Sequence, residues 1–309
     1  MSIPEESSSA LPDIADCLQR LAQECARQTY PAATLYVVAT PIGNLCDISV
    51  RALQALAAMD AIACEDTRSS GQLLARYGIH TPLLAAHQHN EQEAAQKLLS
   101  RLQAGQRIAL ISDAGTPAVS DPGAKIVAAA HAAGIRVLPL PGACAAVSAL
   151  SAAGMPDGAF YFAGFLPVKN NQRENALRAL RHLSASLVFY EAPHRILETV
   201  QAIGQIFENE REIVLAREIS KMFEEIWRGP LQNALEWLNA RPEREKGEYV
   251  IVLQGATAEQ DAALLEGQRV LQILLQHCSL KQAAQMAAEI SGAKKNALYA
   301  LGLELLDKK

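Results

Sequence analysis

Five short loops carry most of the chemically capable residues in the first half of this 309-residue chain. In order they are Thr40-Pro41-Ile42-Gly43-Asn44, Glu65-Asp66-Thr67-Arg68, "HQHNE" from His87 to Glu91, "SDAGTPAVSDPG" at 112–123, and Pro141-Gly142-Ala143-Cys144-Ala145. Glu65 and Asp66 are carboxylates able to accept a proton, provided that one lies within hydrogen-bond reach of a reacting group. His87 and His89 form an HxH pair, but two ligands make no zinc site, so no metal is expected. The G-x-x-x-x-G-K-[ST] phosphate cradle is absent, and so is G-x-G-x-x-G. Pro41, Pro117, Pro122 and Pro141 instead make the loops stiff and poor in amide donors. A wall rich in carbonyls suits a ligand with donor groups and positive charge better than a polyphosphate. An adenosine bearing a sulfonium and an amino acid is one such ligand. In the second half, "YEAPHR" brings together Tyr190, Glu191, His194 and Arg195, and "LAREISK" carries Arg217, Glu218 and Lys221.

Each of the first five loops follows a short apolar run. "TLYVVAT", "DAIACE", "PLLAA", "RIALIS" and "IRVLPL" read as strands. Between them, residues 47–59, "SGQLLARYG", 91–105 and "GAKIVAAAHAAG" have helical periodicity, as does "ACAAVSALSAAG" after the last. Asp47 or Ser49 can cap the first helix and Asn90 the third, and Gly78, Gly105, Gly134 and Gly154 stop helices. Such alternation predicts a parallel α/β sheet, whose ligands sit at the carboxyl ends of the strands. Five polar loops on one edge therefore predict a site there. "MPDGAF" at 155–160 is a candidate boundary. Beyond it "FYFAGFLP", "SLVFYE", "EIVLARE", "FEEIWRG" and "GEYVIVLQG" read as strands. Helices are expected at 171–182, 193–206 and 231–238. Several of these strands lack a crossover helix, which predicts a mixed or largely antiparallel sheet. Residues 256–309 carry only helical patterns, with Ser279 and Gln282 as a capping box and Gly292 as a break. We expect a partly disordered leader at 1–33 with a short amphipathic helix at 13–28. An N-terminal α/β domain at 34–154, a second at 155–255 and a helical extension at 256–309 follow.

The bulk numbers narrow the classes. Half the residues are hydrophobic and a fifth are charged, an ordinary globular composition. The net charge of −5 gives no whole-chain support for nucleic-acid binding, so any RNA contact needs a local patch. Six cysteines include no CxxC pair, which favours reduced thiols in a cytoplasmic protein. The start "MSIPEESSSALPDIADC" lacks the features of a signal peptide, and no run reaches the length of a membrane helix.

"LYVVATPIGNLCDISVRAL", "EDTR", "HQHNE", "SDAGTPAVSDPG", "PLPGACAAVSALSAAG", "GFLP", "YEAPHR", "LAREISK" and "KKNALY" together resemble the ribosomal RNA small-subunit methyltransferase I family. That family belongs to the tetrapyrrole-methylase-like class of S-adenosylmethionine (SAM) enzymes. The resemblance spans about residues 34–305. It implies a two-domain tetrapyrrole-methylase-like α/β fold with SAM folded in the cleft between domains. It also implies a homodimer and 2′-O-methylation of a cytidine ribose in the decoding region of 16S ribosomal RNA, within the small subunit. Carried over to this chain, cofactor contacts fall on Pro41, Gly43, Asp113, Ala114, Gly115, Thr116, Pro117, Ser120, Cys144, Ala145, Tyr190, Glu191 and Glu218. Glu191 stands where many tetrapyrrole methylases carry Met, so it could instead face the substrate.

Methyl transfer needs an aligned ribose hydroxyl and a proton acceptor. Glu65, Asp66, His87 and Glu191 are the candidates for that catalytic role, and the sequence does not choose among them. Plainer roles stand beside these: Asp66 as a helix cap, Glu65 paired with Arg68, Arg195 paired with Glu191. RNA contacts are expected from Arg68, His89, Lys169, Arg173, His194, Arg195, Lys221, Lys294 and Lys295, with a solvated helix end as the plainer reading of the last two. Two other readings are kept: a tetrapyrrole or other small-molecule SAM methyltransferase, and a non-catalytic ribosome-binding factor. "KKNALY" in the helical extension favours RNA.

Overall fold

The computed structural model describes residues 13–86, 91–156, 158–256 and 258–307. Contacts divide the chain into two compact units. One runs through Ser148 and includes Ser220–Met222, and the other holds the remainder from Ala149.

In the first unit, five strands alternate with helices: β1 (Thr34–Val38), β2 (Ala61–Cys64), β3 (Leu83–Ala85), β4 (Arg107–Leu110) and β5 (Arg136–Leu140). They form a sheet in the order β3-β2-β4-β1-β5, with every pairing parallel. Strand alternation sends side chains to both faces, and both are buried. Tyr36, Val38, Ile62, Cys64 and Ala109 pack with α2 (Val50–Ala58) and with Leu74 of α3 (Thr67–Arg76). Leu35, Ala63, Ile108 and Leu110 pack with α4 (Glu91–Gln103) and α5 (Ala124–Ala132). α1 (Ile14–Ala26) is capped by Asp13 and buries no residue. The helix expected from residue 47 starts later. Asn44 caps a 3-10 turn over Leu45–Asp47, Ile48 and Ser49 are extended, and the Ser49 hydroxyl accepts from Ala52 N to begin α2. α6 (Ala145–Ala153) follows β5.

The second unit carries β6 (Phe160–Phe165), β7 (Ser186–Glu191), β8 (Glu212–Arg217), β9 (Glu225–Pro230) and β10 (Tyr249–Leu253) in the order β6-β7-β10-β8-β9. Only β6 and β7 pair in parallel, and the remaining pairs are antiparallel. One face packs α7 (Asn170–Leu180), α8 (Ile196–Ile206) and α9 (Ala234–Asn239) around Leu177, Phe189, Ile203 and Leu215. Both α8 and α9 are preceded by a 3-10 turn, where the sequence predicted continuous helices. α10 (Ala258–Leu274), α11 (Leu280–Ser291) and α12 (Lys295–Asp307) close around Leu271, Ala283, Ala287 and Leu298. Gly292, at φ +75, ends α11 in the left-handed conformation that glycine adopts freely. No helix among the described residues is long and apolar enough to cross a membrane.

Candidate active site and its relatives

Three of the five loops are laced together at the carboxyl ends of β1, β4 and β5. Thr40 N donates to Gly115 O at 2.9 Å, and Gly115 N returns to Thr40 O at 3.1 Å. The Thr40 hydroxyl donates to Ser112 O at 3.1 Å, and the Thr116 hydroxyl donates to Ala143 O at 3.1 Å. These bonds join the loop of Pro41 and Gly43 to that of Asp113, Ala114, Gly115, Thr116 and Pro117, and the latter to that of Cys144 and Ala145. Pro41, Gly115 and Pro117 are buried, while Gly43, Asp113, Ala114 and Ser120 are exposed.

The long loop is held in a costly backbone conformation. Ala118 and Ser120 both have positive φ, at 66° and 61°, a region that L-residues occupy at a penalty. Gly115 has φ +84, and a Cβ there would lie 3.3 Å from the Ile42 side chain. At Gly142 a Cβ would lie 2.7 Å from that of Ala39. The backbone therefore comes closer at Gly142 than a side chain allows, and at Gly115 a side chain would fit only if Ile42 gave way slightly.

The rim is acidic. The stretches 40–44, 112–123 and 141–145 contain no Lys or Arg. Asp66 caps α3, accepting from Arg68 N at 2.8 Å and Ser69 N at 3.3 Å, so its plainer role is realised. Although Asp113 is exposed, loss of part of its hydration raises its carboxyl, helped by the charge of Asp66 and opposed by a hydrogen bond from the Asp66 backbone. Asp121 is pushed up to about 6, chiefly by burial and then by the charges of Glu65 and Asp113, against a hydrogen bond with Ser112. Glu65, Ser120, Asp121 and Lys125 line a pocket of about 410 Å³ at the start of α5. Asp121 was not singled out from the sequence, where only its neighbour Pro122 was named, as stiffening the loop. The available signal was a second Asp in the loop, eight residues after Asp113.

In the second unit, Glu191 is 1% exposed. One of its oxygens accepts from Ala192 N at 2.8 Å, the other accepts from the Thr199 hydroxyl at 2.6 Å, and Arg195 Nε lies 3.3 Å away. Arg195 also donates to Leu166 O at 2.7 Å. The ion pair between them is therefore internal. Arg173, expected on the surface, is 3% exposed and pairs with Glu198 at 3.2 Å. Its charge holds α7 to α8, which corrects its assignment to RNA. Tyr190 meets the rings of Phe162 and Phe165 edge to face. Glu218, at φ +51, accepts from Glu248 N at 2.8 Å and sits against Gly247. Lys169, His194, Lys294 and Lys295 are exposed and Lys221 is half-buried. His87 and His89 lie outside the described residues. Among the described residues, no group of three or more His, Cys, Asp or Glu could hold a metal ion.

Comparisons with known proteins agree on the class. The family model of the Tetrapyrrole (Corrin/Porphyrin) Methylases matches residues 34–235, and that of the RsmI C-terminal HTH domain matches 261–306. The chain is 48% identical to the ribosomal RNA small subunit methyltransferase I of Escherichia coli O157:H7 over 87% of its length and 94% of the relative's. It is 49% identical to the protein of that name in Pseudomonas aeruginosa, over 88% and 98%. Among solved structures, diphthine synthase aligns with a TM-score of 0.55 at 16% identity, over 72% of this chain and 90% of that one. The methyltransferase CobJ aligns at 0.54 and 22%, over 72% and 94%. At such identities these two structures speak for the fold alone.

Proposed function

Because the chain belongs to the ribosomal RNA small subunit methyltransferase I family, we propose that it transfers a methyl group from SAM to the 2′-hydroxyl of a cytidine in the decoding region of 16S ribosomal RNA, within the small subunit. The match over 261–306 carries the choice of RNA over a tetrapyrrole. The laced loops fit the methyl donor: they are pinned to one another, narrow enough to need Gly142 and to crowd any side chain at Gly115, and themselves without a Lys or Arg to repel a sulfonium.

When bound, SAM supplies a methyl carbon already activated by positive sulfur. The chain's part is to align and to take a proton. Alignment alone can contribute on the order of 7–11 kcal/mol, which the rigid 112–123 loop is suited to supply. A base in reach adds about 10²–10⁴-fold. Glu65 and Asp121 share a pocket, and burial pushes the Asp121 carboxyl up to about 6, toward the range that suits a general base. Both belong to the proposed site, whereas the bonds within the Glu191 pair favour a structural role there. Exposed Lys169, His194, Lys294 and Lys295 are the proposed phosphate contacts. Action as a homodimer, in the cytoplasm with the ribosome, completes the proposal.

Mapping methylated nucleotides on small-subunit RNA with and without the protein tests the reading. One 2′-O-methylcytidine should appear only with the protein present. Methyl transfer to a corrin precursor in place of RNA would overturn it, and absence of SAM binding would return the chain to the non-catalytic ribosome-binding reading.

A further inference from the structure

β6 contains an irregularity that changes what its aromatic residues can do. Its register against β7 shifts between Phe162 and Gly164, with Gly164 at φ +67. In a regular strand Phe162 and Phe165, three positions apart, would face opposite sides. The extra residue, Ala163, brings both to one side, a re-aiming that bulges provide. There both rings meet Tyr190, with centroids at 4.9 and 5.7 Å. Tyr190 is half-buried, whereas Phe165 remains 54% exposed. A large ring is thus held in an edge-to-face contact with a second ring while more than half of it stays open to solvent.

The surroundings are stiff and carry groups able to donate to a phosphate. Arg195 Nη2 donates to Leu166 O at 2.7 Å and to Pro167 O at 3.3 Å, which ties the chain after Phe165 to the turn that carries exposed His194. Exposed Lys169 follows four residues after Phe165 and opens α7, whose first turn has no side-chain cap. An exposed aromatic ring on a segment that leads to a lysine and an uncapped helix start, and that is tied to a turn bearing a histidine, complements a nucleotide: ring for base, and lysine, imidazole and helix amides for phosphate.

We propose that Phe165, buttressed by Tyr190, is the platform on which a nucleobase of the RNA substrate stacks when it is turned out of its strand, with Lys169 and His194 serving the adjoining phosphate. This rests on the RNA methyltransferase reading and adds to it the subsite that holds the acceptor nucleotide. A ribose hydroxyl must be presented in one orientation, and stacking an unpaired base is a sequence-tolerant way to fix it.

The test uses the full chain, purified small subunits and SAM. Phe165→Ala should raise KM for small subunits roughly tenfold or more, the scale of one lost base stack. The SAM dissociation constant and the oligomeric state by light scattering should stay unchanged. Phe165→Trp should keep near-normal KM and Phe165→Leu should not, because leucine preserves an apolar contact without a face to stack on. Five results overturn the proposal. A fall in SAM affinity makes the ring a cofactor contact. A change in mass makes it a subunit contact. Leucine acting as well as tryptophan removes stacking. An alanine variant with normal KM, made from an active parent, removes this subsite while leaving the RNA reading intact. A parent that methylates no RNA removes both.

Discussion

Two glycines with nearly the same positive φ allow the site to be separated from stability. Gly115 has φ +84 and Gly105 has φ +89. A side chain at either is strained, at about 1–2 kcal/mol, so Gly115→Ala and Gly105→Ala should each lower the melting temperature by roughly 2–8 °C for a unit of this size. The positions differ in what a Cβ meets. At Gly105 nothing lies within 4 Å. At Gly115 the new carbon is 3.3 Å from Ile42 Cγ2, on the loop bonded to Gly115 in both directions. One of the two loops must give way by a few tenths of an ångström. If restoring the binding geometry costs about 1–2 kcal/mol, as overpacking does, SAM affinity falls roughly 5- to 30-fold. Gly115→Val, with two further methyls, should bind no measurable SAM while remaining folded. Titration calorimetry with SAM, alongside melting curves, reads both effects. If both alanine variants lose equal stability and both bind SAM as the parent does, the 112–123 loop is not the cofactor site and the reasoning fails.

Three further outcomes follow from the same geometry. Folding raises the Asp121 carboxyl from 3.8 to about 6, so ionising it costs stability as pH rises through that window. The full shift corresponds to about 3 kcal/mol, which partial solvent screening reduces to about 1. Asp121→Asn should therefore match the parent in urea unfolding at pH 4 and exceed it by ~1 kcal/mol at pH 8; equal midpoints at both would refute the burial argument. Glu191→Gln leaves partly buried Arg195 without its counter-charge and should cost about 1–3 kcal/mol of stability with SAM affinity unchanged; lost SAM binding at full stability would instead put the carboxylate on the ligand. Replacing Lys294 and Lys295 together by alanine should weaken binding to small subunits and reduce its salt dependence by up to about two phosphate contacts' worth; an unaltered salt slope would mark the pair as a solvated helix end.

The elements were legible because their period and punctuation agree. Apolar runs such as "RIALIS" are buried on both sheet faces, and Gly78, Gly105, Gly134 and Gly292 fall where helices end. What was not legible depends on contacts distant in sequence. "YEAPHR" displays a glutamate and an arginine, but only the packing of Thr199 and the 166–167 carbonyls shows that both are engaged internally. Arg173 reads as surface charge until Glu198 of a neighbouring helix is seen to hold it. Asp121 reads as one more residue of a stiff loop, and its neighbourhood with Glu65 depends on β2 lying beside β4. The bulge at Ala163 leaves no period to detect, only a glycine among aromatics.

The bond from Thr40 to Ser112 spans 72 positions, and it has a consequence for how the protein comes into being. β4 inserts between β1 and β2, which the chain has already made, and the third loop arrives only after β5. No nascent chain that stops short of residue 145 holds all three walls of the site. Contacts of such high sequence separation form slowly, because the intervening loop must close before they return any energy. With the methyl donor at the proposed site, competence to bind it would mature only with the last strand of the first sheet, and a chain stalled during synthesis before that point should not bind it.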